Sequence, residues 1–437
     1  MPARSADAIA VALLLVAIAL AWSTAWPGAF QFDDFRVVVQ ERDVHAWSSW
    51  WASMPGIRPL TKASYTLNWT LDPRPAGFVL FNVACHAASA AIVLALARRW
   101  WRDLAPASAG GAGPLLVALV FALHPAQTEA VTYVAGRSVA LAGVLMLASL
   151  LAWERSRDAG EAWQLASAAL FGAALAARET AWTVPFAILL VEAARGQRFR
   201  AVAWALRWHL AVLAVALASI AASPTYRRLV ASGLDLRGPL DNVVAQVDAI
   251  GYLVTHPLLT LRVNLDPDVA LRPFDATWWI TAAIIAATVA AGFALLRRRP
   301  LVGLALLWFF LHLAPTNGVL ARLDAANDRQ LYLALVGPAL LAAAVLARRP
   351  RALATALVAV LLALGAATMA RNADYRSEVA LWEATSRASP GKARVWNNLG
   401  YAHAQAGDRD RAAAAYERAL ALDPLHAKAR NNLHDLK

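Results

Sequence analysis

Apolar runs of fifteen to about twenty residues, each closed by a short polar or basic stretch, recur along the chain from residue 8 to about residue 370. A helix rises about 1.5 Å per residue, so about twenty apolar residues cross the hydrocarbon core of a bilayer. The runs predict eleven transmembrane helices near 8–25, 77–97, 112–130, 137–153, 162–177, 180–194, 203–222, 277–296, 301–316, 331–347 and 352–370. Arginines mark alternate ends. Arg98, Arg99 and Arg102 follow the second run, Arg155 and Arg157 the fourth, and Arg195, Arg198 and Arg200 the sixth. Arg297, Arg298 and Arg299 follow the eighth, and Arg348, Arg349 and Arg351 the tenth. All of these ends lie on the side of the amino terminus, which the positive-inside rule makes cytoplasmic.

The stretch from Asp241 to Leu261 is apolar enough for a twelfth crossing, but a crossing there would put the arginines at 297–299 outside. It is expected instead as an amphipathic or partly inserted helix on the outer side. An odd number of crossings then places the carboxyl-terminal tail outside. Arg4 ahead of the run Ile9 to Trp22 has the look of a signal peptide, yet the stretch Ser23 to Pro27 is a weak cleavage site, so a retained first helix is the better expectation.

Composition agrees with a bilayer. Of 437 residues 59% are hydrophobic and 16% charged, against about 25% charged in soluble domains. The fold class is therefore an all-α, polytopic helical membrane protein: a membrane domain over 1–372 with an outer loop over 26–76, and a tail over 373–437. The expected setting is a bacterial inner membrane, with membrane lipids as neighbours, the amino terminus cytoplasmic and the tail periplasmic. The net charge of +12 is spread in short clusters between apolar runs rather than gathered in one basic domain, so no nucleic-acid partner is expected. Cys85, the only cysteine, lies in an apolar run and reads as a small buried residue.

From Ala393 the tail fits the helix–turn–helix template of a tetratricopeptide repeat, about 34 residues long. Trp396, Leu399 and Gly400 fall in first-helix positions, with His403 where the template prefers Tyr. Ala412, Tyr416, Ala419 and Pro424 follow in the second helix and turn. Arg376 to Pro390 reads as a preceding half repeat, with Trp382 in register, and Ala427 to Lys437 as a capping helix. One repeat with two halves is fewer than the three usually needed for independent stability, so the tail is expected to pack on the outer face of the membrane domain. There it serves either as a docking platform for a protein partner or as a stabilising lid.

Candidate chemistry gathers on the outer side. Asp33 and Asp34 stand at the mouth of the first helix, where adjacent acids are costly unless solvated or used. The stretch Ala46 to Leu71 carries Trp47, Trp50, Trp51, Tyr65 and Trp69 around Arg58, and predicts one or two surface helices at headgroup depth. His124, Glu129 and Arg137 follow the third run; Arg322, Asp324, Asp328, Arg329 and Tyr332 follow the ninth. Acids, a histidine and arginines on one face suit general-base activation of an acceptor hydroxyl while guanidinium forks hold a phosphate leaving group.

Taken in order, these residues resemble a known family. The Asp33–Asp34 pair, Arg58-Pro59-Leu60-Thr61, the run His124 to Val131 with Gly136-Arg137, Arg178-Glu179-Thr180, Tyr252 with Pro257 and Asp266, and Asn327 to Leu333 look like the transmembrane and tetratricopeptide repeat-containing O-mannosyltransferases. That resemblance implies a GT-C glycosyltransferase fold and inverting transfer of mannose or a similar hexose from a polyprenyl-phosphate carrier to an acceptor protein or glycan. It implies Asp33 or Asp34 as the catalytic base and Arg329 at the lipid phosphate. Arg58, His124, Glu129, Arg137, Asp328 and Tyr332 would bind substrate. Asp328 departs from the Glu more frequent in the family, and the repeat array is short. No cofactor is expected. The alternative is Mg²⁺ or Mn²⁺ on Asp33, Asp34, Glu129 and His124. Two other classes compete: a non-catalytic scaffold binding an envelope-assembly partner through its tail, and a transporter. The latter is disfavoured because the charges sit at helix mouths rather than at the midplane.

Overall fold

The computed structural model describes residues 2–53, 56–106, 111–272, 274–318 and 321–436. Met54 and Pro55, inside the predicted surface helices, lie outside the described residues. The described chain is all-α, without a strand, and is a multi-pass helical membrane protein. Each of the eleven apolar runs is helical. Five helices are long and apolar enough to cross a membrane: Asp7–Ala25, Pro75–Leu104, Val134–Ala159, Ala276–Arg298 and Arg351–Asp374. Three bent pairs raise the number to eight: Gly113–Leu123 with Pro125–Val131, Phe199–Ala205 with Arg207–Ala222, and Asp328–Ala334 with Val336–Leu346. The remaining three runs form the shorter helices Glu161–Ala177, Val184–Ala194 and Pro300–Leu313.

Local chemistry explains several boundaries. Pro59, Pro75, Pro239 and Pro300 each open a helix, where the missing N–H costs no hydrogen bond and the fixed φ is already helical. The bend of 51° after Leu123 falls at His124-Pro125. A residue before proline is pushed out of the helical region, and His124 is extended, with φ −75° and ψ 129°. Its Nδ1 then accepts the Ala126 N–H at 3.2 Å and caps the next turn.

The ambiguous stretch becomes the fifteen-residue helix Pro239–Leu253 followed by a π turn through Leu259, shorter than a crossing requires. A further helix, Pro224–Leu236, exposes Leu229, Val230, Leu234 and Leu236. Its mixed sequence is too short and too charged to register as a span. The loop over 26–76 contains the helices Trp47–Ser53 and Pro59–Leu71.

The two ends of the bundle differ. At one end, arginines that follow the second, fourth and sixth runs share acids. Arg98 pairs with Asp7 at 3.1 Å, Arg99 with Asp158, and Arg195 with Asp103, Glu154 and Glu192 at 2.7, 2.8 and 3.2 Å. At the other end lie the acidic pair, the broken-helix tips and the tail.

The tail comprises Glu378–Ala388, Ala393–Gln405, Arg409–Leu422 and Ala427–Asp435. Gly400 lets its two repeat helices touch: a Cβ there would lie 2.6 Å from the Tyr416 ring. The tail does not stand apart. Its core residues Leu381, Trp382, Val395 and Leu399 form one apolar cluster with Tyr133 and Leu265 of the membrane domain.

Candidate functional site

Asp33 and Asp34 follow Phe32, whose φ of +46° is strained for a side-chain-bearing residue. That turn sets Phe32 edge-on against Trp382 of the tail at 5.1 Å and sends the two aspartates to different surroundings. Asp34 is fully buried. Its Oδ2 accepts the Gln31 N–H at 3.0 Å and its Oδ1 the Ala135 N–H at 2.6 Å. Burial raises its pKa well above the ordinary carboxylate value despite these bonds, and the neighbouring Asp33 charge pushes the same way. Asp33 keeps 34% of its side chain exposed and lies 3.5 Å from the Arg36 guanidinium. Its backbone N–H donates to the Tyr133 hydroxyl at 2.9 Å.

Asp33, but not Asp34, lines a cavity of about 220 Å³ at the end of the bundle that carries the tail. Tyr133, Glu129 and Arg329 line it from the membrane domain, Leu265, Asp266, Leu323 and Asp324 from two loops, and Trp382 and Arg394 from the tail. Glu129 and Arg329 reach it because each sits on the short half of a bent pair, Pro125–Val131 and Asp328–Ala334. Arg329 Nε lies 3.3 Å from Glu129 Oε1, and its backbone N–H donates to Oε2 at 3.0 Å. Gly136 is needed for the close approach beside Glu129, since a Cβ there would lie 2.2 Å from the Glu129 carbonyl.

The tail closes the cavity through a polar clasp. Asp266, 2% exposed, receives Lys392 and a two-pronged contact from Arg394, which also reaches Asp324. Ser389 Oγ donates to the Asp266 carbonyl at 2.9 Å, and the Asn264 amide to Ser389 Oγ at 2.7 Å.

The other sequence-predicted residues lie elsewhere. Arg58 is held by Glu179 in a fork at 2.9–3.1 Å, and Tyr226 adds its hydroxyl to the same carboxylate at 2.8 Å. Burial alone would raise the Glu179 pKa, but the Arg58 charge and hydrogen bonds outweigh it and hold the pKa at about 2. Arg137 is fully buried; it donates to Asn82 Oδ1 and the Ser64 and Phe78 carbonyls at 2.8–2.9 Å and lies over the Tyr65 and Phe81 rings. His124 lines a separate apolar cavity of about 550 Å³. Asp328 is buried and accepts the Asn264 N–H at 2.7 Å. Tyr332 packs in the bundle, its hydroxyl donating to Ser89 Oγ at 3.3 Å with His86 Nδ1 at 3.1 Å. None of these five lines the cavity that holds Asp33.

The set Asp33, Asp34, Glu129 and His124 does not fit a divalent ion. Both Asp34 oxygens are taken by backbone N–H groups, Glu129 is held by Arg329, and His124 faces the apolar cavity. Among the described residues no three His, Cys, Asp or Glu side chains converge as metal ligands. Sequence reasoning missed Tyr133 and Arg394. Neither carries a local signal, because their place at the cavity arises from the docking of the tail.

A family model for the tetratricopeptide repeat matches residues 393–426. Among curated proteins, the protein O-mannosyl-transferase TMTC3 of Mus musculus is 29% identical over 33% of this chain and 16% of its own length. Tmtc2 of Drosophila melanogaster is 30% identical over 38% of this chain and 20% of its own length. TMTC1 of Mus musculus is 31% identical over 36% and 18% respectively. The matched stretch spans between 16% and 26% of the curated relatives' length. No solved structure matches. The motif order, the repeat and these relatives agree: the chain is similar to the transmembrane and tetratricopeptide repeat-containing O-mannosyltransferases.

Proposed function

We propose that the protein is a membrane glycosyltransferase that moves a mannose or similar hexose from a polyprenyl-phosphate carrier to an acceptor hydroxyl, a protein Ser or Thr side chain, on the outer face. The donor sugar occupies the outer cavity. Asp33 takes the acceptor proton as the hydroxyl oxygen attacks the anomeric carbon. The bond from that carbon to the phosphate oxygen breaks, and its electron pair leaves with the phosphate. Attack from the face opposite the leaving group inverts the anomeric centre. Arg329 offers a guanidinium to the developing phosphate charge, where preorganised donors in a dry site act most strongly. Glu129 fixes the Arg329 backbone and side chain. Asp34 is a positioning residue: it pins the turn that presents Asp33.

The observation that carries this reading is the single cavity shared by one half-exposed carboxylate, Asp33, and Arg329. No step is assigned to a metal ion, and activity is expected to persist in a chelator. The test is transfer by purified protein with a panel of polyprenyl-phosphate sugars and acceptor peptides. Wild type is expected to transfer one sugar with inversion, and Asp33→Asn to be inactive. Full activity of Asp33→Asn would overturn the assignment.

A further inference from the structure

Beside the paired arginines at the basic end of the bundle stand arginines without an acid. Arg198 and Arg200 flank the start of the short helix Phe199–Ala205, and Arg297, Arg298 and Arg299 occupy the turn between Ala276–Arg298 and Pro300–Leu313. All five are exposed, and no ion pair to any of them forms among the described residues. Arg98, Arg99, Arg157 and Arg195 take their acids from within the chain; these five do not.

An apolar groove of about 520 Å³ opens between the two sets, within the size range of small-molecule pockets. Gln197 and Phe199 line one wall, next to Arg198 and Arg200, and Leu296 lines the other, next to Arg297. Gln197 is the one polar side chain among the described lining residues. Packing creates the groove. Gly292 and Gly303 let Ala276–Arg298 and Pro300–Leu313 touch: a Cβ on Gly303 would lie 2.5 Å from the Leu296 backbone nitrogen. Val184–Ala194 packs on another flank of Pro300–Leu313, which leaves a cleft between the two neighbours. On Ala276–Arg298 the cleft takes Val289, Phe293 and Leu296, all in the half nearer the arginines. Phe186, Phe199 and Phe293 are exposed, so the cleft opens sideways toward lipid. Ala276–Arg298 needs a neighbour there, since 11% of its apolar stretch is buried within the protein. Phe199–Ala205 leans 62° from Arg207–Ala222 and exposes Trp204. Aromatic segments of this kind sit at the membrane–water boundary, which puts the mouth of the cleft at headgroup level.

We propose that this groove is the seat of an anionic phospholipid from the leaflet on the basic side. An acyl chain fills the cleft between Val184–Ala194 and Ala276–Arg298, and the five arginines hold the headgroup phosphate. Guanidinium forks match phosphate oxygens, and basic pockets between transmembrane helices select anionic headgroups. A zwitterionic lipid brings its own ammonium to the same cations and gains less. The lipid staples an otherwise thinly packed helix to the bundle. The mouth of the groove lies at the end opposite Asp33, and the proposal does not rest on the glycosyltransferase reading.

The test uses the full chain in neutral detergent, titrated with phosphatidylglycerol or with phosphatidylcholine of the same acyl chains. Melting temperature and bound lipid, by native mass spectrometry, are the readouts. Phosphatidylglycerol is expected to stay bound and to raise the melting temperature, and phosphatidylcholine to do neither. Arg198→Gln combined with Arg200→Gln should weaken phosphatidylglycerol about 25-fold, at about fivefold per arginine. Ala193→Phe fills the cleft from an exposed position and should abolish the effect of the lipid with every arginine in place. Arg348→Gln combined with Arg349→Gln changes exposed arginines that do not adjoin the groove and should leave binding unchanged. The melting temperature of each variant without lipid separates loss of the ligand from loss of the fold. Equal stabilisation by phosphatidylcholine would show annular lipid only and overturns the proposal. An equal loss in the Arg348 and Arg349 variant, which is general surface attraction, overturns it too, as does wild-type affinity in either groove variant.

Discussion

Asp34 spends both carboxylate oxygens on backbone N–H groups, whereas among the described residues the Asp33 carboxylate meets Arg36 and faces the cavity. The two therefore respond differently to the same change. Asp33→Asn removes the proton acceptor and is expected to lower transfer by at least about 10²-fold with an unchanged melting temperature. Asp34→Asn turns one acceptor into a donor facing a backbone N–H, which costs about 1–3 kcal/mol, so its melting temperature falls. Transfer assays beside thermal unfolding in detergent decide this; a stable, inactive Asp34→Asn with an active Asp33→Asn would reverse the two roles. Glu179 gives a pH signature. Its folded pKa of about 2 lies below its ordinary value of 4.5. The stability it contributes is full above about pH 4.5 and is lost as pH falls toward 2. Asp34, with a raised pKa, acts in the opposite sense, losing stability as pH rises through its folded value. Melting temperature followed from pH 5 to pH 2.5 should fall, and Glu179→Gln should reduce that fall; an identical profile in the variant would show that the Arg58–Glu179 fork adds nothing.

At the scale of elements, the candidate site exists because two helices break. Pro125 announces one break in the sequence, and the bend there brings Glu129 toward the tip of the other broken helix, which carries Arg329. The apolar runs and the repeat could be read from periodicity and spacing; the loop over 26–76 carries helices as expected, but its second helix, Pro59–Leu71, buries Thr61, Ser64, Tyr65, Thr66 and Asn68 rather than lying wholly on the surface. The partners of the charged residues could not be read in that way. Arg58 and Glu179 are 121 positions apart and Arg394 and Asp266 are 128, and nothing local to either residue specifies such a pair. For the same reason Arg137 reads as a candidate site residue but serves as an internal tie between carbonyls and rings. The clasp on Asp266 makes the tail part of the cavity wall. Asp266→Asn removes the charge that Lys392 and Arg394 share, which weakens docking by about 1.5–3 kcal/mol. Hydrogen exchange is expected to quicken over residues 376–392 and 261–272, with KM for the acceptor rising more than kcat falls. Unchanged exchange in both segments would show that the apolar cluster around Trp382 holds the tail without the clasp.

Across the whole molecule, charge gives the bundle its polarity. Arg98, Arg99, Arg157 and Arg195 meet Asp7, Asp103, Glu154, Asp158 and Glu192 at one end, although these residues come from separate parts of the chain. Sequence could foresee this convergence because loop arginines report a side of the membrane without reference to any tertiary partner. The tail, the acidic pair and the cavity that holds Asp33 lie at the opposite end, so the site faces outward only if the bundle runs in the expected direction. That direction can be measured. In a Cys85→Ser background, Gln197→Cys places a thiol at an exposed position beside Arg195, and Asp435→Cys places one at the exposed end of the tail. A membrane-impermeant maleimide is expected to label position 435 and not 197 in spheroplasts, and 197 and not 435 in inside-out vesicles. Labelling of both from one side would require an even number of crossings between the first basic clusters and the tail, and would put Asp33 and the arginines at 195–200 in one compartment. The reverse pattern would keep the fold and turn the site inward, where the donor sugar would have to be presented from the cytoplasmic leaflet.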